Sequence, residues 1–287
     1  MPELPEVETT RASIAPVLEG ARIARVEVRR ERMVRHQEQP SDFAARLVSR
    51  TILNVARTGK FIVTALTESG DGPAEATMLW VTHLGMSGRV ALATPGEAEA
   101  PHTNVVLDIE RDGAVVEWRL IDPRTFGYVW ALTPEEMAAS SLALLGPDAH
   151  IALPRTPRLA AELAGRTAPI KALLLDQRIV AGLGNIYADE ALFRGRVAPT
   201  RPGGSLDAAE VARLRKAIKV SLDAGLRWGG TTLEDRRFLL PDGRAGGFIR
   251  KLNVYGRTGQ PCRRCGTPIA RIELRGRGTH FCPTCQR

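Results

Sequence analysis

The chain has 287 residues, 44% of them hydrophobic and 25% charged, which allows a sizeable core and, at roughly 150 residues per domain, about two domains. No run approaches the ~18 uninterrupted apolar residues of a spanning helix, and no basic start precedes an apolar stretch, so neither a membrane segment nor a secretory leader is expected. Composition also excludes disorder and collagen-like repetition; the expectation is a soluble cytoplasmic protein. Of the net charge of +8, residues 1–154 carry 15 basic against 21 acidic groups, while residues 155–287 carry 25 against 11. A C-terminal half at +14 is the electrostatic footprint of a polyanion partner, although a solvated basic surface would give the same sum.

In chain order, residues 3–18 read as an amphipathic helix with Val7, Ile14 and Leu18 on one stripe, which Pro16 should distort or end. Short β-branched runs follow at 23–28, 51–55, 61–66, 78–81, 105–109, 115–118 and 128–132. Gly, Pro and polar clusters at 69–73 and 94–101 separate them, the pattern of a sandwich or barrel-like β domain. From 133 the character becomes helical, with segments at 133–139, 140–145, 158–164, 170–176, 185–194 and 207–226 and linker-like Gly/Pro positions between 146 and 157. The last forty or so residues are rich in Arg, Gly and Cys.

All four cysteines lie there, as Cys262-x₂-Cys265 and Cys282-x₂-Cys285 with 16 residues between the pairs. Two knuckles of this spacing place four thiolates around one tetrahedral ion, so one structural Zn²⁺ is expected. Two disulfides are the alternative, disfavoured in a reducing compartment. The intervening hairpin carries Arg271, Arg275 and Arg277, suited to phosphate or groove contact. Gly182-Leu183-Gly184-Asn185 opens a helix with Asn185 at the N-cap, a natural anion site, and Lys171 near the preceding helix start strengthens that reading. At the other end, removal of Met1 would leave Pro2 as a secondary amine with an α-amino pKa near ~8, able to attack an electrophilic carbon. Glu3 and Glu6 offer acid/base partners beside it.

These residues belong to a larger pattern. Pro2-Glu3-Leu4-Pro5-Glu6-Val7-Glu8-Thr9, Gly59-Lys60-Phe61, His83-Leu84-Gly85-Met86-Ser87-Gly88, Asp122-Pro123-Arg124-Thr125-Phe126-Gly127, Gly184-Asn185-Ile186-Tyr187-Ala188, Gly230-Thr231-Thr232-Leu233, Val254-Tyr255-Gly256-Arg257 and the four-Cys finger resemble, in order, the bacterial formamidopyrimidine-DNA glycosylases, also called 8-oxoguanine DNA glycosylases. The resemblance implies an α+β multidomain fold. Its parts would be an N-terminal β-sandwich with a leading helix at 1–135, a linker at 136–157, a helical helix-two-turn-helix domain with a lesion-covering loop at 158–250, and a zinc finger at 251–287. It implies base excision repair of oxidised purines in double-stranded DNA by a monomeric glycosylase with strand-cleaving lyase activity.

By the same resemblance, Pro2 attacks C1′ of the lesion nucleotide and Glu3 handles proton transfers at the sugar. Lys60 donates a proton in β-elimination, and Arg277 binds phosphate and assists δ-elimination. His102, Arg124, Arg166, Lys171 and Asn185 match DNA contacts. Met86, Arg124 and Phe126 match the trio that fills the gap left by a flipped nucleotide. Only His102 of Pro101-His102-Thr103-Asn104 matches the common Lys-His-Asp-His, Thr125 stands where a second Arg is common, and residues 236–241 are unlike the usual loop. Two other readings compete. An endonuclease VIII-like enzyme acting on oxidised pyrimidines is opposed by Leu4, where Gly is common, and by the Met86, Arg124 and Phe126 set. A non-catalytic zinc-ribbon DNA-binding protein explains the charge and cysteines but not Pro2-Glu3 together with Lys60.

Overall fold

The first helix, α1 (Leu4–Leu18), buries Leu4, Val7, Ile14 and Leu18 and starts at Glu3 as N-cap. Pro16 is carried inside it, two residues before the helix ends, instead of terminating it. This computed structural model describes residues 2–68, 75–235 and 237–287; Met1, the expected 69–73 separator and Arg236 of the 236–241 loop lie outside the described residues, wholly or for the larger part.

Eight strands form the N-terminal layers: β1 (Arg22–Val28), β2 (Thr51–Thr58), β3 (Phe61–Thr67), β4 (Met78–His83), β5 (Arg89–Ala93), β6 (Thr103–Arg111), β7 (Ala114–Ile121) and β8 (Tyr128–Leu132), in the order β5-β7-β6-β1-β2-β3-β4-β8. β1 pairs with β6 along its length but with β2 only at Arg22↔Thr51. The sheet therefore creases there into two four-stranded halves. Trp80 on β4 meets Trp118 on β7 edge-to-face at 4.7 Å between ring centroids. Those strands are five places apart, about 24 Å in a flat sheet at ~4.8 Å per strand; the contact requires a sandwich closed over a shared core. Two elements were not expected: β5, and α2 (Pro40–Leu47), which buries Phe43 and Leu47 one turn apart.

The chain divides into two units, one of residues 1–144 with 229–246 and the other of 145–228 with 247–287. This differs from the expected 158–250 segment, and backbone bonds explain why. Thr231 N–H donates to Glu6 of α1 at 2.6 Å, and Gly246 N–H donates to Thr232 Oγ1 at 2.8 Å. Gly246 also passes so close to the Gly229 and Gly230 carbonyls that a Cβ there would sit 2.5 Å from both.

After α3 (Pro134–Ala139), the second unit holds α4 (Thr156–Leu163), α5 (Ile170–Leu175), α6 (Asn185–Gly195), α7 (Ala208–Arg227) and the hairpin β9 (Ala270–Leu274) and β10 (Arg277–Phe281). α5, the turn at 176–184 and α6 make the helix-two-turn-helix. Gly225 of α7 lies flat on Tyr187 of α6, where any side chain would collide at 2.5 Å. The finger's small core joins Val254, Cys262, Ile269 and Cys282 to Phe193 of α6. No helix among the described residues is long and apolar enough to cross a membrane.

Candidate active site and nucleic-acid interface

Pro2 and Glu3 are buried immediately before α1. The Glu3 backbone N–H donates to Glu6 Oε2 at 2.8 Å, and Glu6 Oε1 takes the Thr231 N–H. The Glu6 carboxylate, 1% exposed, thus spans two backbone donors and fixes the peptide that bears Pro2; it is an anchor instead of the acid/base partner that its position suggested. Glu3, also 1% exposed, turns its carboxylate into the first turn of α1 as the reciprocal half of the capping box with Glu6.

Lys60 stands with Gly59 in the two-residue turn between β2 and β3, closed by the pair Thr58↔Phe61. Gly59 has φ +56, which suits a tight hairpin. Arg57 Nη1–H donates to the Gly59 carbonyl at 2.8 Å and Nε–H to Glu8 at 3.0 Å, while Arg11 reaches from α1 to the Val55 carbonyl at 3.1 Å. The helix that carries Pro2 and Glu3 is therefore laced to the hairpin that carries Lys60. Burial pushes the Glu8 carboxyl up, but hydrogen bonds and charge from Arg11 and Arg57 hold it below the usual carboxylate range.

The structure brings Met86, Arg124 and Phe126 together. Met86 is 37% and Phe126 43% exposed, and the Arg124 guanidinium lies over the Phe126 ring at 4.9 Å. Gly85 touches the backbone of Phe126 and Gly127, where a Cβ would sit 2.4 Å from the Gly127 nitrogen. Buried Asp122 organises the loop: it accepts the Ser87 hydroxyl at 2.6 Å, Arg124 N–H at 3.2 Å and Gly127 N–H at 2.7 Å. Asn104 Nδ2–H donates to the Asp122 carbonyl at 2.8 Å, so this departure from the usual pattern has a packing task. His102 is exposed with φ +66, its carbonyl taking the Asp122 N–H. The Arg124 Nε–H is buried and finds no hydrogen-bond partner among the described residues.

In the second unit, two expectations need correction. Lys171 is not presented to a phosphate: it is 0% exposed, its ammonium 2.7 Å from Asp189 and donating to the Gly278 carbonyl at 3.1 Å and Thr279 Oγ1 at 2.9 Å. Asn185 is not the N-cap, which is Gly184; its Nδ2–H donates to the same Gly278 carbonyl at 2.9 Å. Both side chains grip the hairpin where it turns, leaving Arg275 and Arg277 exposed at its tip. Arg166 is exposed as well, in the turn after α4. Asp189 also takes the His280 N–H at 2.8 Å. Asp189→Asn would strand a buried ammonium, and a loss of about 3–5 kcal/mol is expected in denaturant unfolding; unchanged stability would contradict the anchor.

The four cysteine sulfurs lie within 4.8 Å of one another, and Cys265 and Cys282 are 3.5 Å apart. A tetrahedral ion with bonds of ~2.3 Å sets its sulfurs about 3.8 Å apart, whereas a disulfide needs about 2.05 Å. The donor set therefore fits zinc, held by Cys262, Cys265, Cys282 and Cys285 in a closed, structural site.

Comparison with known proteins settles the family. Residues 1–129 match the formamidopyrimidine-DNA glycosylase N-terminal domain, 145–237 its H2TH domain, and 259–287 the zinc finger found in FPG and IleRS. The formamidopyrimidine-DNA glycosylase of Geobacillus kaustophilus is 41% identical, each chain covered in full. The chain belongs to the formamidopyrimidine-DNA glycosylase family. Two solved structures of the Lactococcus lactis family member superpose over the full length of both chains. One is a variant in complex with a Fapy-dG containing DNA (TM-score 0.88, 30% identity), the other a complex with an abasic site containing DNA (TM-score 0.88, 29% identity). The chain is accordingly a base-excision DNA glycosylase with a zinc finger.

Several residues of this glycosylase site escape sequence reasoning: Asp122, Ser87 and Asn104 beneath the Arg124 loop, Arg57 and Glu8 beneath Lys60, and Asp189 beneath the hairpin. The His83 ring contacts Phe61 and Tyr128. Burial first, then the charges of Lys60 and Arg35, push it down to about 4. As pH falls below ~6.5 the unfolded chain binds this proton and the folded one does not. Stability is therefore complete above that pH and lost on the way down to about 4, by at most about 3 kcal/mol. His83→Asn is expected to flatten that part of the Tm–pH curve; an unchanged slope would place the titration elsewhere.

Proposed function

We propose that this glycosylase removes oxidised purines, 8-oxoguanine and formamidopyrimidines, from double-stranded DNA and then cleaves the strand. The Pro2 nitrogen lone pair forms a bond to C1′ as the N-glycosidic bond breaks and the base leaves with a proton. The product is an aminal; loss of the nitrogen proton and protonation of O4′ by Glu3 break the C1′–O4′ bond, opening the sugar to an iminium. The iminium acidifies the 2′ proton, whose loss expels the 3′ phosphate, and loss of the 4′ proton then expels the 5′ phosphate. Glu3, buried next to the amine, shuttles protons at the sugar and stabilises developing positive charge. Lys60 is the proton donor of the first elimination. Arg277 holds phosphate electrostatically, since a guanidinium does not readily release a proton. Met86, Arg124 and Phe126 enter the duplex where the lesion leaves it, with His102 and Arg166 on phosphates; Lys171 and Asn185 act by holding the hairpin that presents Arg277.

The observation that carries this reading is the buried Pro2-Glu3 segment tied through Glu6 to Thr231, in the same unit as the exposed Met86, Arg124 and Phe126 set. That set favours purine lesions; the Lactococcus lactis relative is itself seen with both a Fapy-dG containing DNA and an oxidised pyrimidine containing DNA, so the purine preference rests on the residues and on the trapping experiment. The enzyme works as a monomer in the cytoplasm, on the nucleoid. Borohydride trapping of untagged protein tests it, on duplexes holding 8-oxoguanine opposite C, thymine glycol, or no lesion. A covalent adduct on the 8-oxoguanine duplex, mapped by peptide mass to Pro2, is expected. Trapping on thymine glycol alone would move the substrate to oxidised pyrimidines.

A further inference from the structure

The short 3₁₀ turn Glu31–Val34 and the residue after it bring two arginines onto the loop that carries Arg124 and Phe126. Arg35 Nη1–H donates to the Gly127 carbonyl at 2.8 Å and Nη2–H to the Phe126 carbonyl at 3.0 Å, and its guanidinium covers the Tyr128 ring at 4.5 Å. Arg32 Nε–H donates to the Thr125 carbonyl at 3.3 Å. Three consecutive carbonyls are thus taken by two cations on the outside of the loop. On the inside, Asp122 takes the N–H groups of Arg124 and Gly127.

The loop needs such bracing. Thr125 is β-branched and sits at φ +52, a region that side chains of this kind rarely enter. A strained backbone persists only where its surroundings over-determine it. Phe126 projects from this loop with little packing of its own, and a ring that is to separate stacked bases must resist being pushed back. Arg32 and Arg35 spend their N–H groups on carbonyls, and no ion pair to either occurs among the described residues, Asp122 acting on Arg35 only at longer range. The same two groups can therefore also attract the phosphate backbone on this face.

We propose that Arg35, reinforced by Arg32, is a positioning residue that stiffens the Arg124–Gly127 loop so that Phe126 and Arg124 deform the duplex instead of yielding to it. This rests on the reading of Met86, Arg124 and Phe126 as void-filling residues. The step it serves is extrusion of the base, not the chemistry at C1′, and extrusion costs least where the target is already unstacked.

The test compares wild type, Arg35→Gln and Arg32→Gln in single-turnover assays on two substrates: an 8-oxoguanine·C duplex, and a single strand containing an abasic site. Arg35→Gln is expected to slow duplex excision by about 10- to 100-fold while leaving single-strand cleavage within about twofold. 2-Aminopurine placed opposite the lesion should lose most of its fluorescence rise. Arg35→Lys, which can keep one carbonyl bond, should recover part of both. Arg32→Gln removes one exposed bond without threat to folding and should cost about threefold on the duplex alone. Equal losses on both substrates, or an unchanged duplex rate in both glutamine variants, would overturn the proposal. A wild type inactive on either substrate would instead overturn the function on which it rests.

Discussion

An N-terminal extension that leaves Pro2 inside a peptide bond is expected to lower strand cleavage at 8-oxoguanine by at least about 10⁴-fold and to abolish borohydride capture. An amide nitrogen has no free lone pair with which to attack C1′, and no iminium can form on it. The effect should be chemical, not a loss of folding: α1 begins only at Leu4, and its capping by Glu6 does not involve the amine. Duplex affinity, read by mobility shift, should stay within about threefold of the processed protein, since phosphate contacts carry most of it. The Glu6 anchor sharpens the expectation. With the Glu3 backbone held at 2.8 Å and Thr231 at 2.6 Å on one carboxylate, the segment that carries Pro2 is pre-positioned. Full lyase activity from an extended protein would remove Pro2 from the mechanism.

What could be read from the residues alone divides by physical cause. The two ends of the chain were legible because their chemistry is local: a secondary amine next to a carboxylate, and four thiols at knuckle spacing, mean the same thing in almost any fold. The strands were legible by their β-branched runs, with β5 missed because five residues of Arg-Val-Ala-Leu-Ala show little alternation. α2 was missed because its cap is Gln39 paired with Asp42, an uncommon start signal. The protein partners of Lys171 and Asn185 are illegible for a different reason. A lysine and an asparagine beside a Gly-x-Gly turn look alike whether they face phosphate or protein. The deciding partner, the Gly278 carbonyl, lies about a hundred residues away and becomes visible only when the hairpin folds back. The pair Asp189-Glu190 was the available clue: two adjacent acids on an otherwise apolar helix face need buried donors, and Glu190 finds them in the N–H groups of Asn253, Val254 and Tyr255.

Stripping zinc, or replacing Cys265 by Ser, is expected to weaken duplex binding by at least about 100-fold and to flatten its salt dependence. The finger has two five-residue strands and a handful of apolar residues, too little to fold unaided. Its thiols also oppose one another without a cation. Hydrogen bonds at Thr267 draw the Cys265 thiol down to about 6, while burial and the neighbouring sulfurs push Cys285 up to about 12. A divalent ion makes all four thiolates favourable at once, and structural zinc sites supply about 10–16 kcal/mol in this way. Cys265 is the informative choice because it is exposed whereas Cys262 and Cys282 are buried, so serine there removes coordination and little packing. Loss of the hairpin would also deprive Lys171 and Asn185 of the Gly278 carbonyl and leave Arg277 without a fixed place. The Pro2 amine belongs to the other unit and is untouched, so cleavage of a single-stranded abasic site should survive in part. Metal content by atomic absorption, read beside affinity at two salt concentrations, decides the matter: a zinc-free protein that still bound duplex DNA with the same salt slope would show that the finger is not the DNA grip.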